Sequence, residues 1–179
     1  MFPSMTPIHS FFLAIADAIV GEPGLVTVSS APSRNQLILK AVFPAEHHGK
    51  AIGQGGATID GLRLMVALAG RRFGVEPSLR LQSPEQRFSG EVVPFTPNLR
   101  WDCRWLTELV QRIADSCFLK PVAVAVTDRS DGTTTVQFRL AATEPSTLPD
   151  EQVQSAFRAV FKVIGMANGR KLHLELKRA

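Results

Sequence analysis

The chain has 179 residues, a length that accommodates one ordinary domain or two small ones. Apolar residues make up 45% of it and charged residues 20%, which excludes a disordered chain. The formal charge of +4 divides evenly, with +2 in residues 1–90 and +2 in residues 91–179. A charge this small is compatible with a polyanionic partner but does not require one.

The first half of the chain predicts the order α-β-β-α-α-β. Ser10 is positioned to cap an amphipathic helix that ends near Val20, since apolar residues recur there at helical spacing. The later elements are strands over 25–30 and 36–43 joined by a turn, a short helix opened by Pro44, a helix over 57–69 closed by Gly70, and a strand at Leu79 and Leu81. The helix over 57–69 has a predicted buried stripe, formed by Ile59, Leu62, Met65, Val66 and Ala69.

A linker is predicted over residues 83–98, which hold three prolines, one glycine and no helical period. It would separate a first domain at 9–82 from a second at 99–179. Apolar side chains within the linker indicate that it packs on a surface, namely Val92, Val93 and Phe95.

The two cysteines and the N-terminal segment bear on the compartment. Cys103 and Cys117 fall on one predicted helix about 21 Å apart, beyond disulfide reach, so both are expected to be free thiols. The apolar segment from Phe11 to Val20 lacks a basic start and is interrupted by Asp17, unlike a signal peptide. No stretch approaches the ~20 apolar residues of a membrane span. A cytoplasmic protein is therefore expected.

A second copy of the element order follows the linker. Ile15-Ala16-Asp17 matches Ile113-Ala114-Asp115 at an offset of 98 residues, and Leu62-Arg63 matches Phe157-Arg158 at 95. The strands match as Val26-x-Val28 with Val124-x-Val126, Leu37 and Leu39 with Val136 and Phe138, and Leu79-x-Leu81 with Leu174-x-Leu176. We predict a duplicated unit whose second copy has lost most of the short helix and its loop. Chance similarity of two α+β segments is the alternative.

The segment from Ile52 to Ile59, IGQGGATI, lies between two predicted helices. It is neither a Walker loop, which needs Lys after its last glycine, nor a dinucleotide fingerprint, which needs glycine where Thr58 stands. Glycines at 53 and 56 allow a sharp turn and let a nucleic-acid backbone approach with no Cβ in the way. The free N–H groups and positive dipole end of the next helix face the same point. These features favour a sugar–phosphate strand.

The pattern Ile-Gly-x-x-Gly-x-x-Ile between two helices and after a hairpin is similar to the signature of the KH domain, which clamps about four nucleotides of single-stranded backbone. Residues 9–82, including the Pro-Ala-Glu-His-His-Gly-Lys run before the loop, resemble the small bacterial KH-domain RNA-binding proteins of the type II arrangement. The expected RNA site comprises Lys50, Ile52, Gly53, Gln54, Gly55, Gly56 and Ile59, with further charge from Lys40 and Arg63. Ile52 and Ile59 would flank the turn as walls for bases.

The loop departs from that family in one respect. Gln54 and Gly55 stand where the family usually carries a basic residue, so the charge at the turn is weaker. An ordinary glycine turn between helices is the alternative to a binding loop. Single-stranded RNA is expected to lie between the turn and the second strand.

The second copy lacks this loop. The matching interval, 142–151, has no glycine and carries Glu144, Asp150 and Glu151, which would repel phosphates. Thr147 and Asp150 predict a helix N-cap box. The copy is interpreted as a degenerate KH-like fold, with a peripheral electrostatic contact left open at Arg170-Lys171 and Lys177-Arg178.

Other candidate residues have simpler interpretations. His47 and His48 point about 100° apart on a helix and would share a metal poorly. Asp128 and Asp131 fit the chemistry of a hairpin turn with Gly132. No metal, cofactor or catalytic group is expected.

The sequence thus predicts an α+β protein of two tandem type II KH-like units, each a three-stranded sheet packed on helices. The expected function is non-catalytic binding of single-stranded RNA, as in post-transcriptional regulation or ribosome and RNA maturation. Single-stranded DNA binding is one alternative. The other is a protein-interaction module in which KH-like folds pair with each other or with another RNA-binding protein. Trp101 and Trp105 are interpreted as core or inter-domain contacts, with a stacking surface or a patch for a partner as the alternative. Packing of the two units within one chain predicts a monomer.

Overall fold

The structure is a computed structural model that describes residues 5–33, 36–83, 103–142 and 149–178. Its fold is α+β, as predicted, with five α-helices and two three-stranded sheets in these ranges. None of the helices described is long and apolar enough to cross a membrane. The predicted linker beyond Ser83, with its three apolar residues, and Trp101 lie outside the described residues.

Unit 1, residues 5–82, follows the predicted order α-β-β-α-α-β. Its elements are α1 Met5–Val20, β1 Thr27–Ser33, β2 Gln36–Val42, α2 Ala45–Ile52, α3 Ala57–Phe73 and β3 Glu76–Gln82. The central strand β2 pairs antiparallel with β1 and parallel with β3. Leu37, Leu39 and Ala41 of β2 alternate into the core, as a half-buried strand requires.

Unit 2, residues 103–178, repeats the sheet topology of unit 1 in the residues described. Its elements there are α4 Cys103–Cys117, β4 Ala123–Asp128, β5 Thr133–Leu140, α5 Asp150–Ala167 and β6 Lys171–Arg178. Strand β5 is central, antiparallel to β4 and parallel to β6. Between β5 and α5 the described residues contain no counterpart of α2.

Two predicted helix starts are wrong. Helix α1 begins at Met5, so Ser10 lies inside it and caps nothing. Helix α5 begins at Asp150 with Pro149 as its N-cap, two residues after the predicted cap Thr147, which lies outside the described residues. The Asp150 carboxylate instead accepts hydrogen bonds from Arg178, with Oδ2 2.5 Å from Nε.

Two predicted ends also move. Strand β1 continues through the predicted turn to Ser33, and α3 passes Gly70 to end at Phe73. Gly74, with φ of 68°, is the residue that terminates α3. Gly70 is required for packing, because a Cβ there would lie 2.6 Å from Cγ of Pro77 where α3 meets β3.

Helix α1 is buried on nearly every side and is not amphipathic. From Ile8 to Val20 each residue is buried apart from Ser10 and Ala14, which are half-buried. The helix contacts β1, α2 and α3 of its own unit and α4 and α5 of unit 2. An apolar face on all sides is what such a position between neighbours requires.

The helices of the two units pack together and share one hydrophobic core. Helices α3 and α5 lie side by side, and the predicted stripe of α3 is buried there and against its own sheet. They approach closely at Gly61, where an added Cβ would lie 2.6 Å from the carbonyl oxygen of Ala156. The repeat offset of 95 makes Gly61 and Ala156 equivalent positions. The two helices therefore meet at equivalent positions of the repeat.

A second contact between the two units also has an equivalent contact elsewhere, made by the corresponding residues of the repeat. The Arg72 guanidinium donates to the carbonyl oxygen of Leu119 at 3.0 Å. Ala167 and Gly21 correspond to these two residues by the offsets of 95 and 98, and a Cβ added at Gly21 would lie 3.1 Å from the Ala167 carbonyl oxygen. Paired contacts of this kind define an approximate two-fold axis, as in the interface of a homodimer.

The strand matching predicted from the repeat is displaced by two residues. In the sheet of unit 1, Leu39 lies beside Leu79, whereas in the sheet of unit 2 Val136 lies beside Leu174. Since Leu79 and Leu174 correspond, Leu39 corresponds to Val136 and not to Phe138. A shift of two keeps every side chain on the same face, so the hydrophobic pattern does not reveal it.

Candidate nucleic-acid interface

The loop between α2 and α3 has a backbone that only glycine adopts readily. Gly53, Gly55 and Gly56 have φ values of 77°, 61° and 84°. A Cβ at Gly53 would also lie 2.7 Å from Cβ of Thr58, so no side chain fits there without displacing the start of α3. At Gly55 no atom lies within 4 Å of an added Cβ, which leaves this side of the loop open.

The loop presents unused backbone donors. The N–H groups of Gly53, Gly56 and Ala57 bond to carbonyl oxygens of Gly49, Gly53 and Gln54 within the turn. Within the described residues, those of Gln54 and Gly55 have no hydrogen-bond partner, and both residues are exposed. No side chain caps α3, so the positive end of its dipole faces the same opening.

The three predicted cations occupy different positions. Lys50 is exposed at the end of α2, and its Nζ donates to Nδ1 of His47 at 3.1 Å. Arg63 lies one turn further along α3 and forms an ion pair with Asp60 at 3.1 Å, so its charge is largely compensated locally. Lys40 is half-buried on β2, at a position that alternates with the core residues and lies beside Arg80.

The two isoleucines differ sharply in exposure. Ile52 is 38% exposed and flanks the loop as an apolar surface. Ile59 is only 7% exposed and belongs to the core of unit 1, so the expectation that it forms a wall for bases is wrong. The reason is helical geometry, because Ile59 lies on the same side of α3 as Leu62 and Val66.

A groove of about 640 Å³ runs past the loop and extends to unit 2. Its unit 1 side is formed by Gly49, Lys50, Gly53, Gln54, Ala57 and Thr58. Its other side is formed by α5, through Ala159, Lys162, Val163 and Met166. The sequence predicts three of these lining residues, Lys50, Gly53 and Gln54.

The α5 residues of the groove are ones that sequence reasoning missed. Their spacing of i, i+3, i+4 and i+7 marks one helix face, and this was the available signal. The pattern does not show that this face lies beside the loop of unit 1. Only the packing of α5 on α3 brings them together.

The remaining candidates have structural roles. Cys103 and Cys117 are free thiols, as predicted, and burial raises the pKa of the Cys117 thiol. Asp131 accepts a hydrogen bond from the backbone N–H of Thr133 at 2.9 Å, which confirms its place in the hairpin turn. A hydrogen bond from Cys103 is the largest cause that lowers the pKa of Asp128. Trp105 is half-buried against the core.

His47 is engaged with Lys50, and within the described ranges no group of three His, Cys, Asp or Glu side chains is placed to hold a metal ion.

Comparisons with known proteins give little further information. No family model matches the sequence, and no curated protein matches it. Among solved structures, the chain is similar to one described as the crystal structure of APE1850, over 96% of this chain and 100% of that chain. The identity is 15% and the TM-score is 0.29, which is too distant a likeness to bear on fold or function.

Proposed function

We propose that this protein binds single-stranded RNA, without catalysis, through the glycine loop of unit 1 in the manner of a KH domain. The observation that carries the proposal is the exposed turn at 53–56, in which the N–H groups of Gln54 and Gly55 are unpaired among the described residues. Donors of this kind at a helix N-terminus suit a phosphate group.

The surroundings of the loop fit a polynucleotide strand. Exposed Ile52 offers an apolar surface to a base, and Lys50 adds a cation at the edge of the groove. Because the contacts are made to the backbone, sequence preference would be modest and affinity would fall with salt.

Unit 2 is not proposed as a second site of this type. Its interval 142–151 contains no glycine. Asp150, which begins α5, is equivalent by the offset of 95 to Gly55 of the glycine loop. Unit 2 therefore has a carboxylate at that position, and this carboxylate is already paired with Arg178.

The test is the double substitution Gln54→Asp with Gly55→Asp. Two negative charges at the turn would oppose phosphates, and we expect binding of a random-sequence single-stranded RNA pool, about 16 nucleotides long, to weaken about 30-fold. Fluorescence anisotropy at fixed ionic strength measures it, and the same pool made as DNA shows whether the site prefers ribose.

The matched control is Gln54→Asn with Gly55→Asn. Asn has the shape of Asp without the charge and tolerates the left-handed backbone at Gly55 about as well. We expect the Asn pair to bind within about threefold of the parent and to melt at a similar temperature to the Asp pair. If the folded Asp pair binds as tightly as the parent, the proposed function is wrong.

A further inference from the structure

We propose that α5 of unit 2 forms the second wall of the binding groove, so that Lys162 contacts a phosphate of the same strand held by the glycine loop. Met166 would contact a base of that strand. This inference rests on the proposed function, and it places the strand between the loop and α5 instead of between the loop and β2.

The geometry of α5 supports this placement. Lys162 and Met166 are exposed on the helix face that lines the groove, whereas Val160, Phe161 and Ile164 turn into the core. Met166 is 71% exposed, more than Ile52 or any other large apolar side chain in the described ranges. An exposed apolar side chain beside an open cation is suited to a ligand with both flat apolar and anionic parts.

The charges also favour it. The loop carries no basic residue, and Asp60 lies close, with Oδ2 3.8 Å from a Cβ built at Gly56. Lys50 is held by His47. Lys162 forms no hydrogen bond or ion pair within the described part of the chain. It is therefore a second cation of the groove, beside Lys50, that is available to a phosphate.

The approximate two-fold axis allows Lys162 to be compared with the equivalent residue of unit 1. The offset of 95 places Ala67 of α3 at the position equivalent to Lys162. Ala67 is exposed on α3, and Lys162 lines the groove beside the glycine loop of unit 1. The cation thus occurs at the position that lines the groove, whereas the equivalent position of unit 1 carries no charge.

The experiment compares Lys162→Glu with Arg112→Glu in the full chain. Both residues are exposed on helices of unit 2, and Arg112 of α4 does not line the groove. With the same RNA pool, we expect Lys162→Glu to weaken binding about tenfold and Arg112→Glu to change it less than about twofold. Lys162→Gln should reduce the slope of log K against log salt by about 0.7.

A second measurement locates the strand directly. The RNA pool with 4-thiouridine is crosslinked to the parent protein and the modified peptides are identified. We expect crosslinks on the tryptic peptide 163–170, which contains Met166, as well as on peptides of the loop.

The outcomes separate this inference from the proposed function. If the Asp pair at 54 and 55 weakens binding while Lys162→Glu binds like Arg112→Glu and peptide 163–170 is unmodified, the α5 wall is wrong and the loop site stands. If neither the Asp pair nor Lys162→Glu weakens binding, the proposed function fails together with it.

Discussion

The two units differ mainly in the connection that follows their central strand. In unit 1 the chain from Phe43 to Ala57 forms α2 and the glycine loop, while unit 2 reaches α5 with no described counterpart of α2. Both sheets nevertheless have the same order and the same pairing directions. The two units thus share their sheet topology, and the connection after the central strand of unit 1 is the one that carries the glycine loop.

The cores of the units are filled differently. Leu62 and Val66 of α3 correspond to Phe157 and Phe161 of α5. The rings of unit 2 pack on one another, with Phe138 and Phe157 5.7 Å apart in an edge-to-face arrangement. Aromatic packing of this kind stabilises the core of unit 2. It also holds α5 in the position from which this helix lines the groove.

The first helices of the units lie in unequal surroundings. Asp17 of α1 is 0% exposed, whereas Asp115, at the matching place on α4, is exposed. Helix α1 has α2 as an additional neighbour, and unit 2 offers no such helix among the described residues. The same tripeptide is thus buried throughout in unit 1, whereas in unit 2 Ile113 and Ala114 are buried and only Asp115 is exposed.

The largest expected effect comes from separating the units. Residues 1–83 alone would expose the faces of α1 and α3 that contact unit 2, and a unit this small has little core to spare. We expect the fragment to lose cooperative thermal unfolding as a monomer, or to dimerise by covering these faces with a second copy. Circular dichroism and light scattering measure both. A monomeric fragment with a sharp transition would show that the units are independent, and a full-length homodimer would contradict packing within one chain.

The second largest effect is expected for the substitution Asp17→Asn, with Asp115→Asn as its matched control. Burial raises the pKa of Asp17 to about 6, so the folded state is weakened as pH rises through that value, where the carboxylate ionises. We expect Asp17→Asn to raise the free energy of unfolding by up to about 3 kcal/mol at pH 7. Urea unfolding should show no such gain near pH 4, where Asp17 is protonated.

Two features make this test specific. Burial lowers the pKa of His9, also on α1, which destabilises the folded protein as pH falls, but both variants retain His9. The exposed Asp115 should tolerate Asn within about 0.5 kcal/mol. Equal stability of Asp17→Asn and the parent at pH 7 would contradict the burial of a carboxylate whose Oδ2 has no hydrogen-bond partner among the described residues.

The smallest of these effects is expected for Gly61→Ala at the approximate two-fold axis. A Cβ would lie 2.6 Å from the Ala156 carbonyl oxygen, so α3 and α5 must move apart, at a net cost of about 2 kcal/mol. Gly49→Ala in α2 meets no atom within 4 Å and should stabilise by up to about 1 kcal/mol through helix propensity. If both changes stabilise, the close approach of the helices is not as described.

Much of the fold was predictable because it depends on local patterns. Helical spacing predicts the buried stripe of α3, and the repeat predicts two sheets of like topology. Errors arose where local signals compete. Ser10 resembles a cap inside a longer helix, and Gly70 resembles a terminator although it serves contact with Pro77.

The candidate site was predictable only in its backbone. Three glycines within four residues fix the turn, because positive φ values exclude most side chains. The exposure of Ile52, the burial of Ile59 and the ion pair of Arg63 depend on neighbours that a sequence pattern does not specify.

Length and composition admitted two small domains, and the repeat by itself determined that there are two similar units. The sequence also determined that only unit 1 has the glycine loop. Tertiary structure decided that the units form one core about an approximate two-fold axis, with α1 buried between neighbours. It also decided that Lys162 of one unit lies across a groove from the loop of the other. Contacts between residues about a hundred positions apart depend on how the surfaces of helices fit together. The spacing of residues along the chain does not determine that fit.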